Sequence, residues 1–168
     1  MVKQCKVIFH VGAISDTTLQ DPNEMLYYNY VLSKRIFDLA RKHNVKVVYS
    51  SSAANYGDGD GVPNNIYGWS KLLAEEYGLK ACEKFVALRY FNVYGPAQPG
   101  DSPYSTVVSA WCYKALENKP LRSDGDGTQT RDMIHVNDVV SANIVVGQAE
   151  KLESRVYNVG SEKSVSNN

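Results

Sequence analysis

Three short, largely apolar runs constrain this chain most: Val7 to Val11, Val45 to Tyr49 and Phe85 to Phe91. A strand apolar on both faces must be covered on both faces, a condition met inside a parallel sheet flanked by helices. The stretches between the runs read as helices. Asp21-Pro22-Asn23-Glu24 combines an N-cap, a proline at the first helical position and an acid three residues after the cap. Leu32, Ile36, Leu39 and Ala40 then share one helical face, while Lys34, Arg35, Asp38 and Arg41 take the other. Asn44 is placed to end that helix in a left-handed conformation. Further helices are expected over 67–80, 104–118 and 136–149, with a short last strand at Val156 to Val159. Strands alternating with helices predict an α/β fold, a parallel wound sheet joined by right-handed crossovers. Residues 1–160 read as one domain and 161–168 as a polar, frayed tail.

Charge excludes some partners. Eighteen basic residues balance eighteen acidic ones, so no basic field favours nucleic acid. No apolar stretch approaches the ~20 residues that a membrane-spanning helix needs. Cys5, Cys82 and Cys112 are odd in number and far apart, which suits free thiols rather than a disulfide framework or a zinc site. Met1 to Gln4 lead into an apolar run too short for a secretory leader, so a cytoplasmic location is expected.

The chemistry concentrates in two segments. Tyr67 and Lys71 lie four apart in an expected helix and so share one face. A phenol titrates near pH 10, and a neighbouring cation favours its phenolate, bringing it towards use as a base near neutrality. Ser50-Ser51-Ser52 ends a buried strand on its carboxyl side, where open α/β sheets place their ligands. Ser52 could hold a substrate oxygen beside Tyr67. Each half alone is weak, since Tyr-x-x-x-Lys is common and serine runs also cap helices.

Together with their surroundings these residues resemble the extended short-chain dehydrogenase/reductase family, in particular its nucleotide-sugar epimerases. Five blocks carry the resemblance in the family's order: Phe9 to Ala13, Ser50 to Gly57, Tyr67 to Lys71, Leu88 to Pro96 and Gly125 to Asp132. The resemblance implies Ser52 as catalytic serine, Tyr67 as acid/base and Lys71 as its activating partner and ribose contact. It further implies that Gly12, Ala13, Ser15, Asn29 and Val93 lie along NAD or NADP. Asn92 and Arg131 would contact the nucleotide sugar, the arginine gripping its pyrophosphate through a planar fork. Plainer readings stand beside these. Asn29 could simply bond to backbone, and Arg131 could pair with Asp132 or Asp138. Trp69, His10 and His135 could be packing residues.

The implied reaction is epimerisation through transient NAD(P)-dependent oxidation of a sugar carbon, and the subtype stays open. Thr17-Thr18 and Tyr30 to Lys34 resemble the ADP-heptose 6-epimerases, whereas Gly125 to Asp132 also suits UDP-sugar 4-epimerases. Ser52-Ala53-Ala54 lacks the Asp-Glu pair of the family's dehydratases. The alternatives are an NAD(P)H-dependent sugar-nucleotide reductase and a non-catalytic binding or assembly module.

One part of the family pattern does not occur in the sequence: the Gly-x-x-Gly-x-x-Gly turn that receives a dinucleotide pyrophosphate at a helix N-terminus. The strand at Val7 matches the family's fourth. A partial Rossmann-type fold lacking the first βαβαβ half is therefore expected. Its first strand would be an apolar edge, covered by a second copy or a partner chain.

Overall fold

A computed structural model describes residues 4–17, 19, 21–101, 105–121 and 125–166. The chain divides into two compact units, one comprising 1–90 and 142–158, the other 91–141 and 159–168.

In the first unit, β1 (Val7–His10), β2 (Lys46–Ser52), β3 (Phe85–Tyr90) and β6 (Val156–Val159) form a sheet in the order β1-β2-β3-β6. β2 runs parallel to β1 and to β3, with Val7 opposite Lys46 and Val47 opposite Phe85. The apolar stretches of β2 and β3 have the consequence expected of them. Val47, Val48 and Tyr49 are buried, as are Phe85 to Leu88. Phe37 from the helical layer meets the Phe85 ring edge-on at 5.0 Å and the Tyr49 ring at 5.5 Å. Full burial of a ring of this size contributes roughly 1.5–3 kcal/mol. Among the described residues β1 pairs on one side only and forms an edge.

The first helical rod begins as its sequence dictates. Asp21 accepts hydrogen bonds from the amides of Asn23 and Glu24, and Pro22 opens α1 (Pro22–Leu26). The rod does not stay α-helical. Tyr27–Val31 form a π turn, closed by the Leu32 amide on the Tyr27 carbonyl, before α2 (Leu32–Lys42) resumes. Asn44 ends the rod at φ 54°. A 3₁₀ turn (Ala53–Tyr56) follows β2, and α3 (Ile66–Ala81) starts where Asn65 accepts from the Gly68 amide at 2.8 Å. Arg155 binds the carbonyls at the end of α3, Leu79 at 2.9 Å and Cys82. Lys46 does the same for the end of α5 (Val136–Gln148), with Val146 O at 2.5 Å and Ala149 O at 2.8 Å. Cations at helix C-termini satisfy orphan carbonyls and complement the helix dipole.

The second unit holds a three-stranded sheet in the order β4 (Asn92–Tyr94), β5 (Thr130–His135), β7 (Ser164–Ser166). β4 is parallel to β5, and β7 is antiparallel to it. Ser164–Ser166, expected within a frayed tail, are thus paired to Thr130–Asp132. Asp132 fixes the approach to β7 by accepting from the amides of Ser161, at 2.7 Å, and Glu162, at 3.0 Å. The helix expected over 104–118 spans Val107–Leu116 as α4; Tyr104 lies outside the described residues.

α3 approaches β3 closely because Gly78 carries no side chain. A Cβ there would lie 2.2 Å from Phe85 Cε2. Gly78→Ala gains about 1 kcal/mol of helix propensity but forces the buried ring to move, at a cost of about 1–3 kcal/mol. Urea unfolding of Gly78→Ala is expected to show a net loss of up to about 2 kcal/mol, and a midpoint above wild type would refute the contact.

Candidate active site

Ser52, Tyr67 and Lys71 come together in the first unit. Ser52 ends β2, and its hydroxyl accepts from the Ala54 amide at 3.1 Å, starting the 3₁₀ turn. Tyr67 and Lys71 lie one turn apart on α3. Burial pushes the Tyr67 phenol up, and a hydrogen bond with Ser52 works in the opposite direction. The lowering expected from Lys71 does not appear: desolvation of the phenolate dominates, and Ser52 rather than Lys71 opposes it.

Lys71 itself is 3% exposed, and its ammonium lies 4.7 Å over the Tyr49 ring. Among the described residues no hydrogen-bond acceptor meets that ammonium. Desolvation lowers its pKa from 10.5 to about 8, against the pull of Glu75. Tyr49 in turn is buried, its hydroxyl without a hydrogen-bond partner among the described residues, and the His10 ring stacks on it at 5.7 Å. His10 also bonds Ser33 Oγ at 2.7 Å. Its pKa falls from 6.5 to about 4, by burial first and by Lys71 second. His10 is thus a neutral packing residue at physiological pH, in line with the plainer reading.

Asn29 sits in the π turn and is fully buried. Its side-chain oxygen accepts from the Ile14 amide at 2.8 Å, and its NH₂ donates to Ile14 O at 2.9 Å and to Ser70 Oγ at 3.0 Å. Ser70 passes its own proton to the Tyr67 carbonyl at 2.7 Å. Both amide hydrogens are therefore engaged within the protein. Asn29 pins the segment containing Gly12, Ala13 and Ser15 rather than presenting a free group. Those three residues are exposed, and a Cβ at Gly12 would meet nothing within 4 Å. Trp69 is 40% exposed on α3, so it does not pack fully.

Sequence reasoning missed the polar cluster behind Ser52. Glu75, on α3, accepts from Ser51 Oγ at 2.5 Å and Asn55 Nδ2 at 3.1 Å, and pairs with Arg89 Nη2 at 2.5 Å. The signal was available in Lys71-x-x-x-Glu75, an i, i+4 spacing.

Asn92, Val93 and Arg131 belong to the second unit. Asn92 and Arg131 line one cavity of about 930 Å³, together with Tyr94, Trp111 and Lys114. Asn92 donates to the Asp132 carbonyl at 2.9 Å. Arg131 donates to the Thr130 carbonyl at 2.8 Å and forms no ion pair with Asp132 or Asp138 among the described residues. Its remaining N–H groups suit a bidentate anion. His135 packs edge-on to Tyr94 at 5.3 Å. No cluster of metal-binding side chains occurs among the described residues, and no described helix is long and apolar enough to cross a membrane.

The buried Lys71 has a measurable signature. Its pKa is depressed on folding, so between pH 8 and 10.5 the unfolded chain binds the extra proton and stability rises with pH. The penalty is complete below pH 8, at about 3 kcal/mol for the drop from 10.5 to about 8. Lys71→Met should therefore be more stable relative to wild type at pH 7 than at pH 9.5. Urea unfolding at the two pH values is expected to show that gap narrowing by about 2 kcal/mol, and a pH-independent gap would refute the buried charge.

The sequence profile of the NAD dependent epimerase/dehydratase family matches residues 1–160. The chain is 33% identical over 178 residues to ADP-L-glycero-D-manno-heptose-6-epimerase of Alkalilimnicola ehrlichii, covering 95% of this chain and 55% of that protein. UDP-N-acetylglucosamine 4-epimerase of Methanobrevibacter ruminantium, solved with UDP-N-acetylmuramic acid, superimposes with a TM-score of 0.89 at 31% identity. That match covers 96% of this chain and 57% of the other. MoeE5, solved with UDP-glucose and NAD, gives 0.83 at 32% identity, with 96% and 58% covered. The chain spans about half the length of the curated relatives it matches. With the family profile matched over nearly its whole length, the chain belongs to the NAD dependent epimerase/dehydratase family.

Proposed function

We propose that the chain carries the chemical half of a nucleotide-sugar epimerase. The observation behind this reading is the buried Lys71 ammonium, which has no acceptor among the described residues and lies one turn from Tyr67, itself hydrogen-bonded to Ser52. An ammonium in that state suits the hydroxyls of a ribose, so Lys71 and Tyr67 would hold the nicotinamide ribose of NAD. Asn29 would act through the Ile14 backbone, setting the path of Gly12, Ala13 and Ser15 beside the cofactor. Val93 is assigned to the cofactor by resemblance alone. The sequence contains no glycine turn for the pyrophosphate, so the fit concerns the nicotinamide side.

NAD supplies a hydride acceptor that returns the same hydride. The protein's part is proton handling. Ser52 orients a sugar hydroxyl, and Tyr67 as phenolate removes its proton while the carbon is oxidised to the ketone. The same phenol would return the proton to the sugar oxygen as the carbon is restored from its opposite face, so no net oxidation occurs. Lys71 would favour the phenolate during the reaction, against the desolvation that raises the Tyr67 phenol in the chain alone. The 930 Å³ cavity of the second unit would take the nucleoside diphosphate, with Arg131 on the pyrophosphate, Asn92 on phosphate or sugar and Trp111 against the base.

A second reading, a binding or assembly module, draws on the β1 edge. Phe9 rests against Gly147 yet is 47% exposed, and Val11 is 60% exposed. An apolar edge of this kind pairs with another chain. Either reading places a second copy or a partner chain on β1, in a cytoplasmic setting. Light scattering at micromolar concentration should report a species larger than the monomer; a clean monomer would remove the association.

Calorimetric titration with NAD⁺ and NADP⁺, followed by product analysis with ADP-heptose, UDP-glucose and UDP-galactose, tests the catalytic reading. Tyr67→Phe is expected to bind NAD⁺ within a few-fold of wild type while losing about 10²–10⁴ in turnover. Absence of any cofactor binding in wild type would sink the catalytic reading of this chain.

A further inference from the structure

Glu75 has no solvent exposure, and each of its contacts reaches a different element. Ser51 comes from β2, Asn55 from the 3₁₀ turn after Ser52, and Arg89 from β3. Arg89 contributes Nε as well as Nη2, and its guanidinium lies 4.8 Å over the Tyr56 ring, which closes that turn. Glu75 itself stands one helical turn after Lys71 on α3. The geometry points to Glu75 as the positioning residue of this site: it ties the strand end that carries Ser52 to the helix that carries Tyr67 and Lys71, and it supplies the anion that acts on Lys71. The inference rests on the proposed roles of those three residues.

Stability alone is a weak reason for this carboxylate. Buried ion pairs are often replaceable by apolar groups at no loss, whereas removing one partner strands the other. The pair does have a second effect. The groups that face Lys71 are the His10 ring from β1, the Tyr49 ring from β2, and Tyr67 and Glu75 on its own helix, with Arg89 of β3 behind Glu75. The Glu75 carboxylate is the one charge that holds Lys71 protonated against desolvation. Without it, Lys71 would lose its proton closer to neutrality and cease to be the cation beside Tyr67. Bonds to Ser51 and Asn55, on either side of Ser52, fix the backbone that aims the serine hydroxyl.

The test reads the Lys71 proton directly, by NMR of ¹³C-methylated lysines in the full chain, with the resonance assigned through Lys71→Met. In Glu75→Gln, which keeps the shape and removes the charge, the midpoint should fall below the wild-type value of about 8, by about half a pH unit or more. Ser51→Ala, which keeps the charge and removes one hydrogen bond, should leave the midpoint in place. A folded Glu75→Gln with an unchanged midpoint would overturn the inference and leave Glu75 as a brace only. Should Glu75→Gln fail to fold, Glu75→Asp decides: its withdrawn charge should lower the midpoint, and a wild-type value would overturn the inference. No NAD is needed, so the two failures are distinguishable: a chain that binds no cofactor yet shows the coupled titration loses the catalytic reading and retains only the Glu75–Lys71 coupling.

Discussion

A lysine ammonium taken out of water is the constraint around which the first unit is organised. Desolvation acts on Lys71 strongly enough to bring its pKa to about 8. The surroundings divide the resulting cost between them. The Tyr49 ring offers its π face, and His10, pressed against the same ring, stays neutral. Glu75 supplies the opposing charge and is itself neutralised by Arg89. Each of these groups is buried or nearly so, and each stands on a different strand or on α3. The parallel order β1-β2-β3 is what brings their side chains to one place.

Much of that frame could be read from the sequence, because it follows from local rules. The largely apolar runs became β1, β2 and β3 within a residue or two at most ends. Asp21 caps α1, and Asn44 turns left-handed, as their residue types require. The π turn could not be read, since Tyr27 to Val31 has no pattern that separates an i to i+5 bond from an i to i+4 bond. β4, β5 and β7 were missed for another reason. They are three to six residues long, and Thr130–His135 carries charge at Arg131 and Asp132, so no apolar run marks them.

The site was legible as a set of residue types and not as a set of environments. Ser52, Tyr67 and Lys71 stand together, yet the direction in which Tyr67 titrates depends on burial, which spacing does not reveal. Glu75 illustrates the same gap. In sequence it is one acid of Glu75-Glu76 on a helix, where acids are usually solvated. Only the meeting of β2, β3 and α3 makes one of the two a buried anion with three partners. Family membership adds NAD dependence as the chemical context, while the chain covers 55% of its heptose-epimerase relative.

The Asn29 amide has a mechanical consequence. One planar group holds both the N–H and the C=O of Ile14 and also reaches Ser70, whose hydroxyl is anchored on Tyr67. An amide of this kind rotates as a rigid plate about a single bond. The loop after β1 therefore cannot peel away while the plate keeps its grip on α3, nor can α3 turn about its axis without dragging the plate. The loop and the helix behave as two arms on one hinge pin, and whatever presses on the exposed residues Gly12, Ala13 and Ser15 is felt at the backbone of Tyr67.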